Sequence, residues 1–170
     1  MNLLPAKIEG LALDMTTNTP VVVLAPESID KVLPIWIGHA EAWAIAMELS
    51  GVPSNRPMTH DLLKRMLTAL DATISRVEIT ELKEQTFYAV IHVVADGKTQ
   101  TIDARPSDSL ALALKMGAKI FVNEELFSVR EQQEGEEESS DAPPQMPTDP
   151  ESLRERLRKI NPEDFGKYSL

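Results

Sequence analysis

Thr101-Ile102-Asp103-Ala104-Arg105-Pro106-Ser107-Asp108, followed by Ser109 and the run Leu110-Ala111-Leu112-Ala113-Leu114, decides how this chain is read. A strand ends near Asp103, an Arg-Pro corner follows, and a helix starts near Ser107. Two carboxylates and a guanidinium are thereby placed around one strand-to-helix turn. The free N–H groups and partial positive charge of a helix start make such turns favourable places for chemistry on anions.

Working outward, Ala95-Asp96-Gly97-Lys98 reads as a hairpin turn between strands 86–95 and 99–104, and a further strand precedes them at 72–82. Helix 107–117 buries Leu110, Ala113 and Leu114 and stops at Gly117, and 119–122 is a short last strand. Near the N-terminus, 7–15 and 20–25 read as a hairpin across Thr16-Thr17-Asn18-Thr19, and 32–37 is a third strand ending at Gly38. Residues 39–50 are helical. Ala42, Ile45, Ala46 and Leu49 form one stripe, with Trp43 and Met47 nearly opposite, so the helix is apolar on two sides and predicts burial between layers or a subunit contact. Residues 51–57 form a loop. Thr59 is the expected N-cap of a helix whose Leu63, Met66, Leu67 and Leu70 share a face.

Residues 35–47 and 102–114 echo one another: strand, corner, acid, then an Ala-rich helix, with Glu41 opposite Asp108. The chain therefore predicts an α/β (α+β) domain over 1–128, with a mixed, mainly antiparallel sheet, about three packed helices and two β-β-β-α halves around the helix at 59–70. Paired pseudo-symmetrically, both acid-bearing helix starts would face one crevice. Residues 129–150 read as an acidic, Pro-containing flexible linker. Residues 151–170 read as a short helix bearing Leu153, Leu157 and Ile160, then a tail.

The 170 residues are 42% apolar, enough for one domain with a real core. No cysteine is present, which excludes disulfides, thiolate metal sites and cysteine nucleophiles. Absence of a signal-like start and of any long apolar run predicts a cytoplasmic protein without a membrane span. Net charge is −10, which opposes non-specific attraction to nucleic acid. Residues 1–128 hold 11 basic and 16 acidic groups, so half of the excess lies in the last quarter of the chain and the body is only mildly acidic.

Three patterns in order, Leu33-Pro34-Ile35-Trp36-Ile37-Gly38 with Glu41-Ala42, then Arg56-Pro57-Met58-Thr59-His60-Asp61-Leu62-Leu63, then Asp103-Ala104-Arg105-Pro106-Ser107-Asp108, resemble the bacterial bifunctional nuclease domain family over residues 5–128. The resemblance implies a metal-assisted nuclease acting on DNA or RNA with little sequence preference. Cutting a phosphodiester needs an activated water and neutralisation of charge at phosphorus. Carboxylates holding Mg²⁺ or Mn²⁺ and an arginine clamp supply both. At the matching positions, Asp103, Asp108 and Glu41 are the candidate metal ligands, Arg105 the phosphate clamp, and His60 a general base or further ligand.

Plainer readings stand beside these. Asp108 in a first helical turn stabilises the helix dipole without any other task, by about 0.3–1 kcal/mol. Asp61 and Arg65 make an ordinary i, i+4 surface pair. His39 and His92 are expected to be structural or exposed, and Trp36 and Trp43 to be core residues rather than base-stacking platforms. The rival to an enzyme is a non-catalytic module whose Arg105 corner holds an anion or a partner's carboxylate. The doubly apolar helix 39–50 further predicts a homo-oligomer, dimer or trimer.

Overall fold

The computed structural model describes residues 2–28 and 30–129. The linker and C-terminal helix expected beyond residue 129 lie outside the described residues. The expected elements form in the expected order: β1 (Leu3–Asp14), β2 (Thr19–Pro26), β3 (Lys31–Trp36), α1 (His39–Leu49), α2 (Thr59–Ala69), β4 (Thr73–Lys83), β5 (Thr86–Ala95), β6 (Lys98–Ala104), α3 (Pro106–Met116) and β7 (Lys119–Asn123); β7, expected to be the last strand, is followed by a two-residue β8 (Ser128–Val129). One mixed sheet runs β6-β5-β4-β7-β1-β2-β3-β8. Every pairing is antiparallel except β4 with β7. The two three-stranded halves thus flank β7. No described helix is long and apolar enough to cross a membrane.

Val22, Leu24, Leu33 and Ile35 from one half share a core with Val77, Ile79, Ala89 and Ile91 from the other. Helix α3 fills the space over this face with Leu110, Ala111, Leu112 and Ala113, and α1 adds Ala42 and Ile45. Small alanines let α1 and α3 approach closely, which brings their N-terminal ends together. Gly117 closes α3 in the left-handed conformation (φ 66°), where a side chain would be strained.

Helix α2 packs on α3 instead of on the sheet. Its expected buried face is only partly buried: Leu67 touches the core, whereas Leu62, Leu63, Met66 and Leu70 are exposed. The cap also differs from expectation. Thr59 is the first helical residue, and the side chain of Asp61 accepts from the Met58 backbone N–H at 3.0 Å. An acid at the third helical position reaches back to the N–H of the capping residue, the acidic half of a capping box, so Met58 and not Thr59 stands at the cap.

Candidate functional site

The Arg-Pro corner is built as its residue types require. A residue before proline is driven to extended backbone, and Arg105 lies at φ −68°, ψ 146° as N-cap, with Pro106 opening the helix where its missing N–H costs nothing. The Arg105 carbonyl then accepts from both the Ser109 N–H (3.1 Å) and the buried Ser109 hydroxyl (3.0 Å), which pins the cap.

From this fixed base the Arg105 side chain joins two helix starts. Its Nε donates to Asp108 Oδ2 at 2.7 Å, and Nη2 lies 2.7 Å from Glu41 Oε1. Asp108 spends its other oxygen on His60 Nε2, 2.9 Å away on α2. Glu41, Arg105, Asp108 and His60 therefore form one connected chain across α1, α3 and α2. Both acid-bearing helix starts face one corner, as the sequence echo predicts. The glycine before α1 makes room for it: a Cβ on Gly38 would strike the Glu41 carboxylate.

The electrostatics follow from this geometry. Burial alone would raise the Asp108 carboxyl, but the bonds from Arg105 and His60 outweigh it and hold the group below its usual range. The bond to Asp108 and, next to it, Glu41 push the Arg105 guanidinium further up. Arg105 remains a cation with N–H groups to spare, since two of its five donors are engaged and its side chain is 65% exposed.

Asp103 is not part of this constellation. In β6, Ala104 pairs with Ala89 and Ile102 with Ile91, both partners being core residues; Asp103 pairs with Val90 between them. Side chains alternate across a strand, so Asp103 points to the sheet face away from the helices. Adjacency in sequence to Arg105 suggested proximity that the pleat forbids. With Asp103 removed, two carboxylates remain, and each already shares Arg105. Among the described residues no group of three or more His, Cys, Asp or Glu side chains could hold a metal ion. The pair does not make a protein-only cage. Where Mg²⁺ is bound through only one or two carboxylates, water and phosphate oxygens complete its shell; here both carboxylates already contact Arg105.

His60 is 9% exposed and faces Asp108 from the protein side. It lines a small cleft of about 80 Å³ with Asp61, Glu48 and Lys115. Arg105 instead lines an open groove of about 310 Å³ with Trp36, Gly38, Phe87 and Ser107. Arg105 borders that groove, whereas Asp108 and His60 are not among its lining residues.

A further expectation is corrected by strand alternation and packing. Leu33 and Ile35 take the core positions of β3, leaving Trp36 half-exposed, its Nε1–H donating to Asp14 Oδ2 at 2.9 Å. His92, expected to be structural or exposed, is buried with Nε2 3.1 Å from Glu78 Oε1, although not aligned as a hydrogen bond. Trp43 is half-buried on α1.

Sequence reasoning missed Lys115. Its ammonium, 10% exposed, lies 2.9 Å from Glu48 on α1 and 2.6 Å from Asp61 on α2. This second ionic node fastens the same three helices about two turns further along α1 and α3, and Asp61 pairs here instead of with Arg65. Nothing in the spacing of residues 48, 61 and 115 signals it.

The fold is a mixed-sheet domain in which one guanidinium is held between the carboxylates of two helix starts at a strand-to-helix corner. The chain belongs to the bifunctional nuclease domain family, whose model (Bifunctional nuclease domain) matches residues 22–134. It is 37% identical over 160 residues to uncharacterized proteins of two Mycobacterium tuberculosis strains, covering 94% of this chain and 96% of each relative. It is 23% identical over 113 residues to Bifunctional nuclease 1 of Oryza sativa subsp. japonica and to Bifunctional nuclease of Oryza minuta, covering 65% of this chain and 34% of each of those longer proteins.

Proposed function

We propose that this protein hydrolyses phosphodiester bonds in DNA or RNA at the Arg105 corner. The observation that carries the reading is the fixed, half-open guanidinium of Arg105, aimed by Glu41 and Asp108 and bordering a groove. Three unspent N–H donors suit the oxygens of a phosphate and the charge that grows on them during attack. Asp108, with its lowered pKa, is a poor proton acceptor near neutrality, and its task is to hold Arg105. Glu41 spends Oε1 on Arg105. Its Oε2 is the acceptor we assign to the proton of an incoming water, whose oxygen bonds to phosphorus as the P–O ester bond breaks, the leaving oxygen taking a proton from solvent. His60 is a positioning residue that fixes Asp108. A bound Mg²⁺ or Mn²⁺ would have Glu41 and Asp108 as its protein ligands and would supply Lewis-acid polarisation of the phosphate.

The test is cleavage of single-stranded and duplex substrates by highly purified full-length protein with Mg²⁺, Mn²⁺ or EDTA, beside Arg105→Ala. The variant is expected to lose about 100-fold or more, as removal of a transition-state donor does. Equal trace cleavage by both proteins would mark a contaminant and end the enzyme reading. Undiminished cleavage in EDTA would remove the metal.

A second reading is favoured by one observation: both carboxylates at the corner are already balanced by the same cation. A non-catalytic module would use Arg105 to hold an anion or a partner's carboxylate, and it predicts saturable anion binding without turnover.

We further propose that the protein self-associates through α2 in place of the expected α1 surface. Leu62, Leu63, Met66 and Leu70 leave an apolar side of α2 uncovered, and contiguous exposed apolar surface marks interaction sites. Light scattering on the eluted peak of a sizing column is expected to give a dimer or trimer, and Leu62→Glu/Met66→Glu a monomer. A monomeric wild type defeats the proposal.

A further inference from the structure

The groove beside Arg105 contains more than a phosphate anchor. Trp36 ends β3 and is 53% exposed. Exposing a large indole is costly unless it serves something, and this one is held in place. Asp14, at the β1–β2 turn, accepts the indole N–H with one oxygen and the backbone N–H groups of Thr16 and Thr17 with the other. The turn therefore locks the carboxylate and the carboxylate locks the ring. No cation lies over the ring among the described residues. Trp36, Phe87 and Arg105 border the same groove of about 310 Å³.

An oriented aromatic surface and a guanidinium on one groove suit a nucleotide, whose flat base and charged phosphate need both. The acidic surroundings narrow the choice. Asp14, Glu41 and Asp108 all lie near the groove, and Arg105 is the basic residue lining it. A tract of phosphates would be repelled there, whereas one phosphate on Arg105 is not. Much of the affinity must then come from the base. A base inside a duplex has both faces covered by its neighbours and cannot stack on Trp36 without being extruded at a cost of a few kcal/mol.

We propose that this groove is a single-nucleotide cradle, with Trp36 stacking an unpaired base and Arg105 taking the adjoining phosphate, so that the ligand is single-stranded nucleic acid. The inference rests on the nuclease reading for its biological sense, but it concerns binding and is tested by binding.

The experiment follows the intrinsic tryptophan fluorescence of the full chain during titration with a short single strand carrying phosphorothioate linkages, with the same sequence as a duplex, and with inorganic phosphate. The single strand is expected to quench and saturate, the duplex to bind at least about 10-fold more weakly, and phosphate to compete with little quenching. Because Trp36→Ala and Trp36→Phe leave only Trp43 of the two tryptophans, which is not the groove's reporter, the affinities of both variants are read by anisotropy of a labelled single strand. Trp36→Ala is expected to lose about 10-fold or more and Trp36→Phe to recover most of it, in line with stacking on a protein aromatic ring. Circular dichroism confirms that each variant is folded.

Unchanged affinity in Trp36→Ala, or equal affinity for duplex and single strand, overturns the cradle. So does a Trp36→Ala effect confined to oligomeric state, which would make Trp36 an interface residue. The two readings fail separately. A wild type that binds the single strand selectively and never cuts it keeps the cradle and loses the nuclease. One that cuts while Trp36→Ala binds and cuts equally well keeps the nuclease and loses the cradle.

Discussion

Asp108→Asn is expected to lower phosphodiester cleavage by about 100-fold or more while the protein stays folded, and Asp103→Asn, two residues before the corner, to leave it within about 2-fold. Asp108 is the joint between Arg105 and His60, at 2.7 Å and 2.9 Å. The asparagine amide keeps the shape of the side chain. Its carbonyl oxygen still accepts from Arg105, and its NH₂ faces His60 Nε2. What disappears is the negative charge that aims the guanidinium and balances it. Arg105 then keeps one carboxylate, Glu41, and a weaker contact to a neutral amide, and it can shift within an open groove, where misplacement of about 1 Å is enough for a large kinetic loss. The paired variant makes the comparison decisive, because Asp103 lies on the opposite face of β6 from the core partners Ala89 and Ile91. Cleavage rates at saturating and limiting substrate, with melting temperatures of both variants, check the expectation. A full-rate Asp108→Asn protein, or an Asp103→Asn protein as damaged as Asp108→Asn, contradicts this account of the site.

The second large effect concerns stability. Lys115→Ala is expected to destabilise the domain by about 2–3 kcal/mol. Losing one partner of a buried pair typically costs about 3–5 kcal/mol, and the figure is lowered here because Glu48 and Asp61 are about a third exposed and rehydrate in part. Lys115 also fastens α2, whose few other ties to the body include Leu67, the Lys64 bond to the Lys115 carbonyl (2.7 Å) and the His60–Asp108 contact. Urea unfolding of wild type and variant measures the difference, and its pH dependence carries a signature. The Asp61 carboxyl is held low chiefly by its bond from Lys115, so that contribution is present above the ordinary value of 3.8 and fades as pH falls through the lower folded value. Burial alone would depress the Lys115 ammonium, but its bonds to Asp61 and Glu48 raise it, so its contribution is present below 10.5 and fades as pH climbs through the raised value. The gap between wild type and variant is therefore widest between those limits and narrows on both sides. A gap that does not vary with pH would assign the loss to packing of the lysine stem instead.

Local chemistry was legible wherever a few neighbouring residues decide it. The Asp96-Gly97 hairpin turn, the Gly117 helix end, the Arg-Pro corner and the order of strands and helices all follow from turn chemistry and from periods of two and 3.6. The family resemblance, carried by three short patterns, brought Glu41, His60, Arg105 and Asp108 together on paper, and they do meet. Nearness along the chain puts Asp103 beside Arg105, but strand alternation turns it to the other face; Trp36, expected in the core as a residue within a strand, is half-exposed because Leu33 and Ile35 take the core positions. The α2 face was misjudged for a related reason: a helical stripe shows that one side is apolar, not that anything covers it.

By itself, then, the sequence determined a cysteine-free α/β domain with an arginine corner between a strand and an alanine-rich helix. Only the tertiary structure decided that one guanidinium is shared by two helix starts, that a buried lysine joins residues 48, 61 and 115, and that a hydrogen-bonded indole borders the groove. The reason is physical. Turns and periodicities are set by backbone preferences of adjacent residues, whereas each of these arrangements depends on the sheet order β6-β5-β4-β7-β1-β2-β3-β8 folding two distant halves over one core, and no local preference encodes that closeness.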